Sequence, residues 1–182
     1  MRRLMMIAFA TASFAAAAVP VDHCGQITSN ELSSPIIGNT VASFGNDYDV
    51  NVCQGTPGSG WLPQSGAATE QVFAVRVQDN CTMTVTTQGQ ASGGNFSDPA
   101  IYATTTCPAR PMPFQTTIMD SSCVASVDAT GALGIETISF AAQRNRTYYL
   151  FMDGFLAAQG PYSTAITGCT LIEAAIFFNS FE

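Results

Sequence analysis

The sequence contains no lysine and only one histidine, His23. Catalytic devices of the Ser-His-Asp or Cys-His kind need a histidine that a third group holds in place. His23 lies beside Cys24 near the start of the chain, so the sequence argues against histidine-based catalysis. Paired carboxylates, as in glycoside hydrolysis, are a weaker alternative because the acids fall mostly in predicted turns. We therefore expect a protein that is not an enzyme.

Positive charge is scarce throughout the chain. Arg2 and Arg3 belong to the first 18 residues, and only four further arginines face thirteen acidic residues, a net charge of about −9 for the remaining chain. Such a surface repels phosphate backbones and anionic lipids. The composition thus disfavours binding to nucleic acid or to a membrane surface.

The first 18 residues have the pattern of a secretory signal peptide. Arg2-Arg3 is followed by an apolar run, 4–18, that ends in a row of alanines. A run of about 15 apolar residues is shorter than the roughly 20 that a membrane-spanning helix needs. We expect residues 19–170 to form one domain without a membrane span, exported to the periplasm, the cell surface or the medium, with an apolar tail at 171–182.

The chain has six cysteines, an even number, and no Cys-x-x-Cys pair. In an exported protein this usage is typical of disulfides, whereas a zinc site would need closely spaced ligands. Three disulfides are therefore expected, and the spacing alone leaves their pairing open. The cysteines concerned are Cys24, Cys53, Cys81, Cys107, Cys123 and Cys169.

Short runs with strand-like alternation recur along the chain and are separated by turn-forming residues. The clearest is 71–78, and the stretch 135–167 contains three more runs, rich in aromatic residues. No segment has helical periodicity. The pattern predicts an all-β fold, an antiparallel β-sandwich or jelly roll stapled by disulfides. The remaining predicted strands are 35–41, 48–52, 82–87, 98–103 and 114–119.

Trp61 and the C-terminal tail each allow two interpretations. Trp61 lies in a loop rich in glycine and proline, and it either covers one end of the core or offers an exposed binding platform. The tail 171–182 is apolar, which is unusual for a terminus, and it is either a docking or sorting segment or a last edge strand.

Calcium is the one metal that the sequence favours. Hard Ca²⁺ takes carboxylate and carbonyl oxygens from loops. Asp98 and Asp128 flank the segment between Cys107 and Cys123, and Asp120 lies near its end. The alternative is that Asp98, like Asp153, forms a turn through side-chain-to-backbone hydrogen bonds. No other cofactor is expected.

Several motifs occur in a characteristic order. A strand led by Asp98 ends at Cys107, and Cys123 is followed by Asp128. A Tyr148-Tyr149 strand then leads into Asp153-Gly154, and Gly160-Pro161-Tyr162 follows. Over most of residues 22–168 this order resembles the bacterial pre-peptidase C-terminal (PPC) domain. The sequence departs from that family in having Ala129 where a second acid is common, and in lacking an accompanying catalytic unit, which implies a stand-alone copy.

The resemblance implies the disulfides Cys24–Cys53 and Cys107–Cys123, which leave Cys81–Cys169. It also implies a binding or accessory module that contacts a polysaccharide, a matrix protein or a cell-envelope partner. We expect turn-borne aromatic residues to make that contact, namely Trp61, Phe155 and Tyr162. The alternative is a structural or surface-assembly protein that docks through its C-terminal tail.

Overall fold

The structure, a computed structural model, describes residues 36–40, 48–49, 71–93, 95–106, 116–117, 122–155 and 158–172. Within these ranges the regular elements are β-strands, and no helix is long and apolar enough to cross a membrane. The strands are β1 (Ile36–Asn39), β2 (Tyr48–Asp49), β3 (Gln71–Val77), β4 (Cys81–Gly89), β5 (Ala91–Ser92), β6 (Asn95–Phe96), β7 (Pro99–Thr104), β8 (Thr116–Thr117), β9 (Cys123–Val127), β10 (Ile135–Ala142), β11 (Thr147–Gly154), β12 (Pro161–Thr167) and β13 (Leu171–Ile172).

Two antiparallel sheets make up the domain, which confirms the predicted β-sandwich. One sheet has four strands in the order β1-β12-β4-β10, and the other has five in the order β13-β3-β11-β7-β9. Two short pairs, β5 with β6 and β2 with β8, complete the described elements. Consecutive strands repeatedly belong to different sheets, so the turns between them cross from one layer to the other.

The core lies between the two sheets and follows from the period-two alternation of the strands. In β10 exposed and buried residues alternate without a break, and Ile138 and Phe140 point inward. They meet Met83 and Val85 of β4 within their own sheet and Leu150 of β11 across the core. Burial of these apolar side chains is the main favourable term in folding such a domain.

Most predicted strands are present at nearly the predicted positions. The main difference is β9, a strand at Cys123–Val127 that the sequence analysis did not include. The β5–β6 pair lies between the predicted strands 82–87 and 98–103, where no strand was predicted. Leu171 and Ile172, assigned to the tail, pair with Val77 and Arg76 as an edge strand of the five-stranded sheet; the rest of the tail lies outside the described residues.

The two sheets differ in their outer faces. In the five-stranded sheet the outward residues are also buried, including Val72, Tyr102 and Phe151, and the last two rings stack with centroids 4.5 Å apart. In the four-stranded sheet the outward residues of β4 and β10 are largely solvent-exposed. Only one broad face of the described sandwich is therefore open to solvent.

The sandwich has two distinct ends. At one, which we call the disulfide end, the turns 78–80, 143–146 and 168–170 cross between the sheets. Cys81 and Cys169 are joined there, with Cα atoms 5.5 Å apart, which is the pairing that the resemblance implied. Strand β4 runs from this end to the opposite one, where Asp98 and Asp128 lie; we call that the acidic end.

Tyr162 links the two sheets at the acidic end. Its hydroxyl donates to Oε1 of Gln71 in the facing sheet, and the same oxygen accepts the backbone N–H of Asn39 at 3.1 Å. The Tyr162 side chain is 1% exposed. The prediction that Tyr162 is a surface aromatic that contacts a ligand is thus corrected, because its position in β12 has the inward phase of the strand.

The ring of Tyr162 depends on the absence of a side chain at Gly38, because a Cβ there would overlap it. We expect Gly38→Ala to lower the free energy of unfolding by about 1–3 kcal/mol, since overpacking shifts the ring from its bond with Gln71. Gly131→Ala is the matched control, because its Cβ would meet nothing within 4 Å. Urea denaturation measures the free energy of unfolding of both variants. Equal losses in Gly38→Ala and Gly131→Ala would contradict this account.

Candidate functional site

Three acidic side chains gather at the acidic end of the sandwich. Asp98 directly precedes β7, and Asp128 directly follows β9. The two strands are antiparallel neighbours, with Ile101 opposite Val127, so both aspartates lie at the same sheet edge. The third acid, Glu136, is the second residue of β10. The fold therefore brings together two of the three aspartates that the sequence singled out.

Glu136 is a buried carboxylate that sequence analysis missed. Its Oε1 accepts three hydrogen bonds from the preceding loop: from the N–H of Ala129 at 2.8 Å, and from the N–H and the hydroxyl of Thr130. The alternation in β10 carried the signal, because Glu136 shares the inward phase of Ile138 and Phe140. Its role in the described structure is to hold the β9–β10 connector against the sheet.

The electrostatics of the acidic end favour protonation. Burial raises the pKa of Asp98, and the nearby Glu136 carboxylate raises it further. Burial, with smaller contributions from Asp98 and Glu136, raises the pKa of Asp128 to about 6. Each ionised carboxylate thus loses hydration and gains like-charged neighbours. These acids do not behave as ordinary solvated turn residues.

The same carboxylates are the described part of the predicted calcium site. Asp98 Oδ1 is buried and has no hydrogen-bond partner in the described part of the chain. Within that part, however, no three or more His, Cys, Asp or Glu side chains are grouped so that they could hold a metal ion. Asp120, the third predicted ligand, lies outside the described residues. Calcium binding accordingly stays a prediction.

The predicted binding aromatics have different surroundings. Phe155 is half-buried at the acidic end, and its N–H donates to the carbonyl of Asp98 at 2.9 Å. Tyr162 is enclosed in the core, as described above. Trp61 lies outside the described residues. The structure therefore brings one of the three to the neighbourhood of the acids.

The cysteines are described in part. Besides the Cys81–Cys169 disulfide, Cys123 is disulfide-bonded at the start of β9, and its partner lies outside the described residues. Cys24, Cys53 and Cys107 also lie outside them, as does His23. The pairings Cys24–Cys53 and Cys107–Cys123 stay predictions.

The open face of the four-stranded sheet is an uncharged surface, which we call the hydroxyl face. Its residues are mostly threonine and serine, with no charged and no aromatic side chain among them. They are Thr82, Thr84, Thr86 and Gln88 of β4, Ile135, Thr137, Ser139 and Ala141 of β10, and Ser163, Ala165 and Thr167 of β12. In an acidic chain, this face offers hydrogen-bonding groups without charge.

Hydroxyl groups on this face pair across the strands. Thr84 lies opposite Ser139 with 3.2 Å between their side-chain oxygens, and Thr86 lies opposite Thr137 at the same distance. A hydroxyl can donate once and accept twice, so each pair keeps hydrogen-bonding capacity towards solvent. Since neighbouring strands are about 4.8 Å apart, these groups form a regular array. Ile135, 53% exposed, adds an apolar group at the acidic end of the array.

Comparison with protein-family models, with curated proteins and with solved structures found no match for this chain. The resemblance to the PPC domain accordingly stays a prediction.

The raised pKa of Asp128 predicts a pH-dependent stability. Because this pKa is about 6 in the folded protein and 3.8 in a free side chain, the folded state holds the proton more tightly. This group's contribution to stability is full below about pH 4 and is lost as the pH rises through 6. We expect Asp128→Asn to be more stable than the wild type at pH 7 and to lose this part of the pH dependence.

Thermal unfolding between pH 4 and pH 7.5 measures the effect. Asp79→Asn is the control, because it removes the same charge from an exposed turn at the disulfide end. Parallel profiles of stability against pH for the wild type and Asp128→Asn would show that ionisation of Asp128 does not destabilise the folded protein.

Proposed function

We propose that this protein is an exported, non-catalytic binding module whose hydroxyl face contacts an extracellular polysaccharide. The observation that carries the proposal is the contrast between the faces of the sandwich. The inner faces and the outer face of the five-stranded sheet are buried, whereas the hydroxyl face is broad, open and uncharged. A ligand that spans several strands would meet a continuous array of hydrogen-bonding groups there.

The chemistry of the face suits a sugar chain better than a protein surface. Threonine and serine hydroxyls and the Gln88 amide can both donate to and accept from sugar hydroxyls. No ion has to be stripped of water when the ligand binds, which removes a large penalty. Protein interfaces instead centre on aromatic and other large apolar anchors, and among the described side chains of this face Ile135 is the one exposed large apolar residue. Ile135 offers a contact for the C–H face of a sugar ring.

We further propose that calcium supports this function from the acidic end. Burial and, to a smaller extent, repulsion from Asp98 and Glu136 raise the pKa of Asp128, and a divalent cation near Asp98 and Asp128 would offset the repulsion. The ion would act structurally, by holding the start of β7 to the end of β9. It would not take part in a reaction.

The first test is retention of the exported chain on insoluble neutral polysaccharides such as cellulose, chitin and starch granules. Thr86 lies at the centre of the face, and Thr86→Glu places a charge among the paired hydroxyls. We expect at least about a tenfold loss of retention, because a bound polymer would cover the new carboxylate and leave it without a partner. Ser92→Glu, in the exposed β5–β6 pair beyond the face, adds the same charge and should bind as the wild type does.

The outcomes of this test decide between alternatives. Retention of the Thr86→Glu protein at the wild-type level would exclude the hydroxyl face as the contact. Failure of the wild type to bind any of these polymers would reject a neutral polysaccharide as the ligand. Loss of binding on deletion of 176–182, with Thr86→Glu unaffected, would instead favour docking through the tail.

Calcium is tested by unfolding the exported chain with calcium and with a chelator. At a free calcium concentration 100 times the dissociation constant, the free energy of unfolding should be higher by about 2.7 kcal/mol. The increment should vanish in Asp98→Asn and in Asp128→Asn, whereas equal concentrations of magnesium should give a smaller one, because Mg²⁺ requires a stricter geometry. An unchanged melting temperature of the wild type in calcium would remove the metal from the account.

A further inference from the structure

The fold concentrates positive charge at one point of an otherwise acidic protein. After the first 18 residues the chain has four arginines and no lysine. Three of the four, Arg76, Arg144 and Arg146, meet at the disulfide end, where the β10–β11 turn passes beside the end of β3. We call these three residues the arginine cluster. It lies at the opposite end of the strands from Asp98 and Asp128.

A rigid turn presents two of the arginines. In the turn 143–146 the N–H of Arg146 donates to the carbonyl of Gln143 at 3.1 Å, and Asn145 has a φ of 60°. A positive φ at the third position is tolerated by asparagine and fits a type II turn. Asn80 fixes the turn from the neighbouring connection, because its Oδ1 accepts the N–H of Arg144 at 2.7 Å. Arg144 and Arg146 are therefore held on either side of a fixed backbone.

The third arginine, Arg76, belongs to β3, which pairs with β11, and it is hydrogen-bonded to the same turn. Arg76 Nε donates to the carbonyl of Asn145 at 3.1 Å. Arg146 uses one N–H, from Nη1, to bind Gln143 Oε1 at 3.0 Å. These bonds orient two guanidinium groups while leaving other N–H groups of each without a described partner. The Arg144 side chain, which is exposed, makes no described hydrogen bond.

The positive charges have no carboxylate partner among the described residues. None of the three arginines forms an ion pair there, although Asp79 belongs to the adjacent β3–β4 turn. Like charges held together without a counter-ion repel each other, and only salt screens them. A bound anion would remove this repulsion and take up the N–H groups that point to solvent.

We propose that the arginine cluster binds a carboxylate or sulfate group carried by an extracellular polysaccharide. Guanidinium groups match such oxyanions, because their N–H donors form a planar fork that can make two parallel bonds. The hydroxyl face ends close to the cluster: its last row, Thr82 and Ala141, is separated from the turns 78–80 and 143–146 by the single pair Cys81 and Ala142. The inference extends the proposed polysaccharide binding by naming the ligand as a glycan that carries acidic groups.

The overall charge of the protein restricts the ligand further. The chain as a whole carries a strong net negative charge and repels a densely charged polymer at distances within the screening length, about 10 Å at 0.1 M salt. The cluster dominates only at close range. The preferred ligand is thus a mostly neutral chain with widely spaced acidic groups.

Calorimetric titration of the exported chain tests the cluster directly. Three probes are compared at matched ionic strength: sodium sulfate, a neutral glucan oligosaccharide that carries one uronate, and dextran sulfate. We expect saturable binding of the uronate oligosaccharide that is stronger than that of free sulfate. Arg144→Gln and Arg146→Gln should each weaken it about tenfold or more, as expected for the loss of a charge-assisted hydrogen bond.

Two controls separate charge from geometry. Ser92→Asp lowers the net charge by the same amount at the other end of β4 and should leave binding of the uronate probe unchanged. Arg144→Lys keeps the charge but loses the fork, and should restore only part of the affinity. Arg144→Gln removes an exposed side chain with no described bond, so loss of folding would not mimic the result.

The results also distinguish this inference from the polysaccharide proposal. Thr86→Glu should weaken retention on neutral polymers while sulfate binding stays at the wild-type level, and Arg144→Gln should weaken sulfate binding while retention on neutral polymers stays at the wild-type level. No saturable binding of any anion by the wild type, or equal binding by Arg144→Gln, would overturn the anion site. Binding of free sulfate without any binding of the uronate oligosaccharide would reject the glycan as its source. Strongest binding of dextran sulfate would overturn the preference for sparse charge.

Discussion

The packing of apolar side chains between the two sheets is the constraint on which the other features depend. Each strand of the four-stranded sheet gives one set of alternate residues to this core, as Met83 and Val85 do in β4 and Ile138 and Phe140 in β10. The other set must then face solvent, and in these strands it consists mainly of threonine and serine. The hydroxyl face is thus a direct consequence of a two-residue period whose inward half is fixed by burial.

The same constraint sends the ionisable groups to the two ends. Within the described strands Glu136 is the one acid with an inward position near the core, and three hydrogen bonds from the β9–β10 connector satisfy it. The aspartates lie where β7 begins and β9 ends, and the arginines lie at the crossing turns of the opposite end. The result is a neutral face that lies between a negative and a positive end. A sugar chain bound along β4 would meet a different charge at each of its ends.

The sequence was sufficient to predict the class of fold but not the sites. Alternation of apolar and polar residues predicted β3, β4, β11 and β12 because these strands bury one face or both. Strand β9 was not predicted, because its residues, Cys123–Val127, are small and partly polar. The strand forms through its pairing with β7, which is a tertiary feature. The phase of Tyr162 in β12 would have placed it in the core, but its position beside Gly160-Pro161 suggested a turn. The arginine cluster joins Arg76 to the turn that contains Asn145, 69 residues further along the chain, and only the sheet register brings them together.

The position of the Cys81–Cys169 disulfide also determines how the domain would respond to tension. Cys169 lies just before β13, the last described strand, and of the described residues beyond it Leu171 and Ile172 pair with β3. A pulling force applied past Ile172 would detach this short strand and then reach a covalent bond. The load would pass to Cys81, the first residue of β4, which is flanked on both sides by β12 and β10. Because β4 would be pulled along its own axis, its ladder hydrogen bonds would be loaded together in shear, and the sandwich would resist extension as a unit.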